Sequence, residues 1–101
     1  MKFHKLVRDK IPEIIRERRQ TPIIHIANRQ EYWATLKEKL KEEVEEFDKS
    51  ENDEELADIL EVMYAICEFK NIDRQDLEAR REKKAKDKGK FTRKIILDKI
   101  E

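Results

Sequence analysis

The sequence predicts an all-α fold in which a helix hairpin completes a four-helix bundle by oligomerisation, and three observations carry that expectation. Apolar residues recur with helical period over residues 29–49 and again over 53–70. The break between these stretches, at residues 50–53, is short enough to make them antiparallel neighbours. Only 38% of residues are apolar and 48% are charged, so the core is modest and association with further copies would help to bury the apolar faces.

Each element follows from local signals. Pro12 fits the first turn of a short helix over IPEIIRERRQ, where its missing amide costs nothing, and that helix should end near Gln20. Residues 22–27, PIIHIA, are β-branched and suit an extended connection or a brief strand. Asn28 with Glu31 three residues on resembles a capping box and opens a long helix running to about Lys49. Asn52 or Asp53 caps a third helix to about residue 70. Asp73 caps a fourth, strongly charged helix, and Gly89, the only glycine, stands where a left-handed terminating residue is wanted. The tail FTRKIIL reads as a short strand or as an arm packed on a neighbour.

Four acids sit oddly within this pattern. At roughly 100° per residue, Trp33, Leu36, Leu40, Val44 and Phe47 fall within about 80°, with Tyr32 extending the arc. Glu43 projects inside the extended arc, while Glu46 lies about 60° beyond Glu43 and outside the arc. On the third helix Glu55 projects between Ile66 and Val62, and Asp58 falls beside Phe69 and Ala65. Glu54, Glu61 and Glu68 share the remaining polar face. A carboxylate on a buried face is costly unless paired or bound to a cation. The hairpin would gather Glu43, Glu46, Glu55 and Asp58 near its closed end.

The whole chain excludes several classes of function. Its 101 residues make one domain, 1–101, which would bury something over ~60% of its unfolded surface. Charge balances at 24 basic and 24 acidic residues, which argues against simple polyanion binding, although acids concentrate in 42–61 and bases in 80–94. Cys67 is the only cysteine, so no intramolecular disulfide and no cysteine-based zinc site is available. No apolar run approaches membrane-spanning length, the charged start MKFHKLVRDK lacks a signal-peptide core, and the expected compartment is the cytoplasm. His4 and His25 lack a second ligand at metal spacing and read as structural or surface residues.

Oxygen-only donors suit a hard cation, Mg²⁺ with Mn²⁺ as the alternative, and i, i+3 spacing puts two carboxylates on one side of one helix. Simpler roles stand beside this. Glu55 is placed to act as a capping-box acid if Asn52 is the cap, Glu43 to pair with Lys39, and Glu46 with Lys49. Asp58 is harder to explain locally, because aspartate is a poor mid-helix residue and here interrupts LADIL.

KLKEEVEEF followed by EELADILEVMYAI resembles the E-E-x-x-E and E-x-x-D signature of the MazG-like, all-α nucleotide pyrophosphohydrolases, which include phosphoribosyl-ATP pyrophosphohydrolase. KLVRDKIPEII and KKAKDKGKF resemble a small single-domain branch of that superfamily, so the likeness covers most of the chain except residues 20–30. It implies Mg²⁺-dependent hydrolysis of a nucleoside triphosphate, or a related nucleotide, to monophosphate and pyrophosphate, with house-cleaning of non-canonical nucleotides as the expected role. By the same resemblance Glu43, Glu46, Glu55 and Asp58 match the metal ligands, and Glu42 matches the leading acid that orients or deprotonates the attacking water. Homodimers or homotetramers are expected, with sites drawing residues from two chains.

Basic residues should stabilise the pyrophosphate, and Lys84, Lys88, Lys5 and Arg8 are the candidates. Lys88 stands where the branch tends to carry arginine, and lysine lacks the bidentate fork. Trp33, Tyr64 and Asn71 are candidate contributors to a base pocket. A non-catalytic charged helical interaction module is the alternative. Nucleic-acid binding through residues 80–94 is the weakest reading.

Overall fold

The computed structural model describes residues 4–101 and places four helices along them: α1 (Ile11–Glu17), α2 (Arg29–Ser50), α3 (Asp53–Phe69) and α4 (Arg74–Lys88). No strand occurs among the described residues: PIIHIA has no regular secondary structure, and the tail begins with a turn in which the Lys94 amide donates to the Phe91 carbonyl. Nor is any helix among them long and apolar enough to cross a membrane.

The three longer helices begin where the caps stand. Asn28 accepts from the Glu31 amide, Asn52 from the Glu54 amide and Asp73 from the Gln75 amide, each satisfying an amide that the first helical turn leaves unpaired. The helix ends are less regular. α1 stops at Glu17 rather than near Gln20, because Arg19 turns left-handed at φ 61° and the Gln20 amide donates back to the Ile15 carbonyl. Asn71 does the same after α3, at φ 55°, with the Ile72 amide reaching the Cys67 carbonyl at 2.8 Å. Gly89, at φ 89° and ψ 176°, lies in a region that essentially only glycine visits, rather than in the compact left-handed region expected for it.

α2 and α3 form the hairpin, and their packing supplies the core. Glu51 turns left-handed and its amide caps the Phe47 carbonyl at 2.8 Å, while Ser50 Oγ accepts from the Asn52 amide. Leu36 is 1% exposed and packs at the heart of the hairpin with buried Val62 and Cys67. At the open end Phe69 stacks on Trp33, with centroids 4.9 Å apart and planes 10° from parallel. Tyr32 meets Phe69 edge-on, and the Arg29 guanidinium lies 4.2 Å from its centroid. His25 is exposed and its Nε2 contacts the Glu31 carboxylate at 2.8 Å, a surface role.

The rest of the chain is weakly attached to this core. Arg74 sits 3.7 Å over the Tyr64 ring and pins the start of α4, while Arg81 with Glu78 and Lys83 with Asp87 pair along α4 itself. Phe91, Ile95, Ile96 and Leu97 are all largely exposed, as are Ile23 and Ile26. The accessible surface is 9951 Å², whereas a compact monomer of 12.3 kDa exposes about 6,100 Å². The radius of gyration is 18.0 Å, against about 13 Å for a compact chain of this length.

Candidate metal centre

About two turns before the closed end of the hairpin α2 presents Glu43, and within about its first two turns α3 presents Glu55 and Asp58. One carboxylate oxygen from each lies within 4.8 Å of the other two, and all three residues are half-buried. The Glu43 side chain is 12% exposed, well below the 38% of Asp58. Glu46, about 60° further round α2 than Glu43, stays exposed and influences the group through its charge.

The cluster is electrostatically strained at Glu55. Desolvation comes first, followed by the charges of Asp58 and Glu43, a hydrogen bond with the Glu43 carboxyl and the charge of Glu46. All of these hold the Glu55 carboxyl above the ordinary glutamate range. The capping role open to Glu55 is not taken: Asn52 caps the Glu54 amide, and the Asn52 amide itself goes to Ser50 Oγ. Glu55 is therefore free to face Glu43.

Bases partly offset the remaining acids. Lys39 reaches Glu43 at 3.4 Å and Glu42 at 3.6 Å, the i, i+4 and i, i+3 contacts that helical spacing allows. Lys5 reaches Glu42 at 3.4 Å, and Arg8 donates to Asp58 at 2.7 Å with its other terminal nitrogen 3.9 Å from Glu61. Among the described residues, neither Glu46 nor Glu55 has a base in ion-pairing range, and Lys49 does not pair with Glu46. Lys84 and Lys88 are exposed on α4, and no ion pair among the described residues joins them to the acids.

Six sequence-selected residues thus lie together: Glu43, Glu55 and Asp58 converge, Arg8 pairs with Asp58, and Lys5 pairs with Glu42. Sequence reasoning missed that Lys5 and Arg8 rest on the acids themselves, and that Glu61 shares Arg8. Only the charged run KLVRDK hinted at it. Three half-buried oxygen donors at this spacing, of which Glu55 has no base in ion-pairing range among the described residues, are of the kind that could hold a hard divalent cation such as Mg²⁺ or Mn²⁺.

No family model matches the chain. A stretch of 42 residues, 42% of the chain, is 55% identical to an uncharacterized protein of Mycolicibacterium smegmatis. The match spans 43% of that protein, less than half its length. No solved structure matches.

Of the candidate base-pocket residues, Trp33 and Tyr64 are engaged in stacking with Phe69 and Arg74, respectively. Asn71 instead lines an open cleft of about 320 Å³ with Arg29, Tyr32 and Phe69. That cleft is at the open end of the hairpin, and Arg29 and Glu43 are separated by about 21 Å of helix at 1.5 Å per residue.

Proposed function

We propose that the chain is a MazG-like nucleotide pyrophosphohydrolase that uses Mg²⁺ to release pyrophosphate and a nucleoside monophosphate, acting on non-canonical nucleotides. The observation that carries this reading is the convergence of Glu43, Glu55 and Asp58 from two helices onto one volume, with Glu55 resisting ionisation. Acids crowded in this way repel one another, and a bound cation would offset that repulsion.

Glu43, Glu55 and Asp58 would hold the metal, with Glu46 supplying charge at the rim. Mg²⁺ bound there supplies positive charge to phosphate oxygens and acidifies water. Glu42, half-buried beside Glu43 and held by Lys39 and Lys5, is the group to accept the proton of the attacking water. Lys5 and Arg8 are the nearest bases for the leaving pyrophosphate. Lys84 and Lys88 join them only if a second copy brings its α4 to the site. The large accessible surface and the exposed residues Leu56, Leu60 and Met63, at i, i+4 and i+7 on α3, support a dimer or tetramer in which hairpins complete a four-helix bundle.

The test is pyrophosphate release from a panel of canonical and modified nucleoside triphosphates. Wild type should release it only with Mg²⁺, and Glu46→Ala and Asp58→Ala should lose most of that activity. Equal release by the variants would place the chemistry elsewhere. The ion pairs of Lys5, Arg8 and Lys39 favour a second reading, a charged interaction module whose acids serve only to pair with bases. Absence of Mg²⁺-dependent release from every nucleotide would favour that module.

A further inference from the structure

Two bases ahead of α1 contact the acids, and they do so from a segment without regular secondary structure. Lys5 Nζ lies 3.4 Å from Glu42 on α2, and Arg8 Nη2 lies 2.7 Å from Asp58 on α3, so one short segment spans both helices of the hairpin. These contacts bridge 37 and 50 residues of sequence. They are tertiary placements, unlike the Lys39 pairs, which helical spacing alone creates. The Lys5 and Arg8 side chains are 51% and 55% exposed. Either can therefore swing without opening the core.

The consequence is a competition for the same oxygens. Asp58 is one of the three residues whose carboxylates converge, yet its Oδ1 already accepts from Arg8. A cation that takes Asp58 must displace a guanidinium or share its carboxylate with one. A phosphate-bearing ligand brings the opposite charge to the same place, and offers a displaced guanidinium the bidentate partner it prefers.

We propose that residues 4–10 form a counter-ion strap: Arg8 and Lys5 neutralise Asp58 and Glu42 in the free protein and transfer to ligand phosphates once a divalent cation takes the carboxylates. This rests on the metal-site reading given above and adds to it a device that couples metal loading to polyanion binding. The strap opposes a cation alone and favours a cation together with a phosphate chain. Its signature is thus a pair of effects of opposite sign from one substitution.

The full-length chain and Arg8→Gln are titrated with Mg²⁺ alone by calorimetry, and then with inorganic pyrophosphate at saturating Mg²⁺. Arg8→Gln should bind Mg²⁺ about two- to fivefold more tightly, the range expected for loss of one partly exposed ion pair, and pyrophosphate more weakly by at least as much. Arg8→Lys should restore both affinities toward wild type. Lys5→Gln, read in the same way, covers the case in which Arg8→Gln loses its helical circular dichroism. Shifts of the same sign, unchanged affinities, or no Mg²⁺ binding by either protein would overturn the strap. Opposite-signed shifts without nucleotide hydrolysis would sink the enzyme reading and leave the strap standing.

Discussion

Glu55 and Glu78 are both helical glutamates, and the fold moves their protonation in opposite directions. Desolvation and three acidic neighbours raise the pKa of Glu55, whereas the hydrogen bond from Arg81 lowers that of Glu78. A raised folded-state pKa gives a contribution to stability that is complete below the unfolded pKa and is lost as pH rises through the folded one. Glu78 behaves the other way, its contribution being present above the unfolded pKa and lost as pH falls through the folded one. Glu55→Gln should therefore gain on metal-free wild type, by thermal melting, as pH climbs from the ordinary carboxylate range to neutrality. Saturating Mg²⁺ should remove that gain by binding wild type. A constant offset between the two proteins across the window would show that the cluster puts no strain on the fold.

Among the elements, the hairpin carries the stability. Leu36 is the one large side chain among the described residues that is fully buried, and Leu36→Ala should cost about 2–5 kcal/mol in urea unfolding. A loss under about 1 kcal/mol would mean that other contacts hold α2 to α3. The starts of α2 and α4 were legible at Asn28 and Asp73, and that of α3 at Asn52 or Asp53, of which Asn52 is the cap, because capping is a local bond between a side chain and an amide two or three residues away. The ends expected near Lys49, residue 70 and Gly89 fall at Ser50, Phe69 and Lys88, whereas α1 stops at Glu17 instead of near Gln20. How the chain turns at these ends was less legible. Arg19, Glu51 and Asn71 all turn left-handed without glycine, and nothing in residue type announces such a turn at an arginine or a glutamate. The same contrast runs through the site. Glu43, Glu55 and Asp58 could be picked out by rotation about a helix axis, while the resting partners of Arg8 and Lys5 depend on how the chain before α1 folds back across 37 or 50 residues. Glu46 was expected to gather with those three acids, yet it is exposed and its carboxylate is not among those that converge, because it lies further round α2 than Glu43.

The single chain leaves much apolar surface to water. Leu56, Leu60 and Met63 on α3, and Phe91, Ile95, Ile96 and Leu97 in the tail, are exposed well beyond what a compact domain of this size needs. Light scattering on the intact chain at micromolar concentration should give a dimer or tetramer, and Leu60→Lys should shift it toward monomer with its helical signal intact. A wild-type monomer would count against the bundle and against any contribution of Lys84 or Lys88 to a neighbour's site.

Trp33 is the only tryptophan, and it stacks on Phe69 at the end of the hairpin away from the acids. Ten residues of helix, about 15 Å, separate it from Glu43. Its fluorescence is a built-in gauge of whether the open end is zipped, and the ring lies too far from the acids for a cation held there to touch it. An emission shift during a Mg²⁺ titration would therefore signal movement along the whole length of α2 and α3, and not the filling of a site.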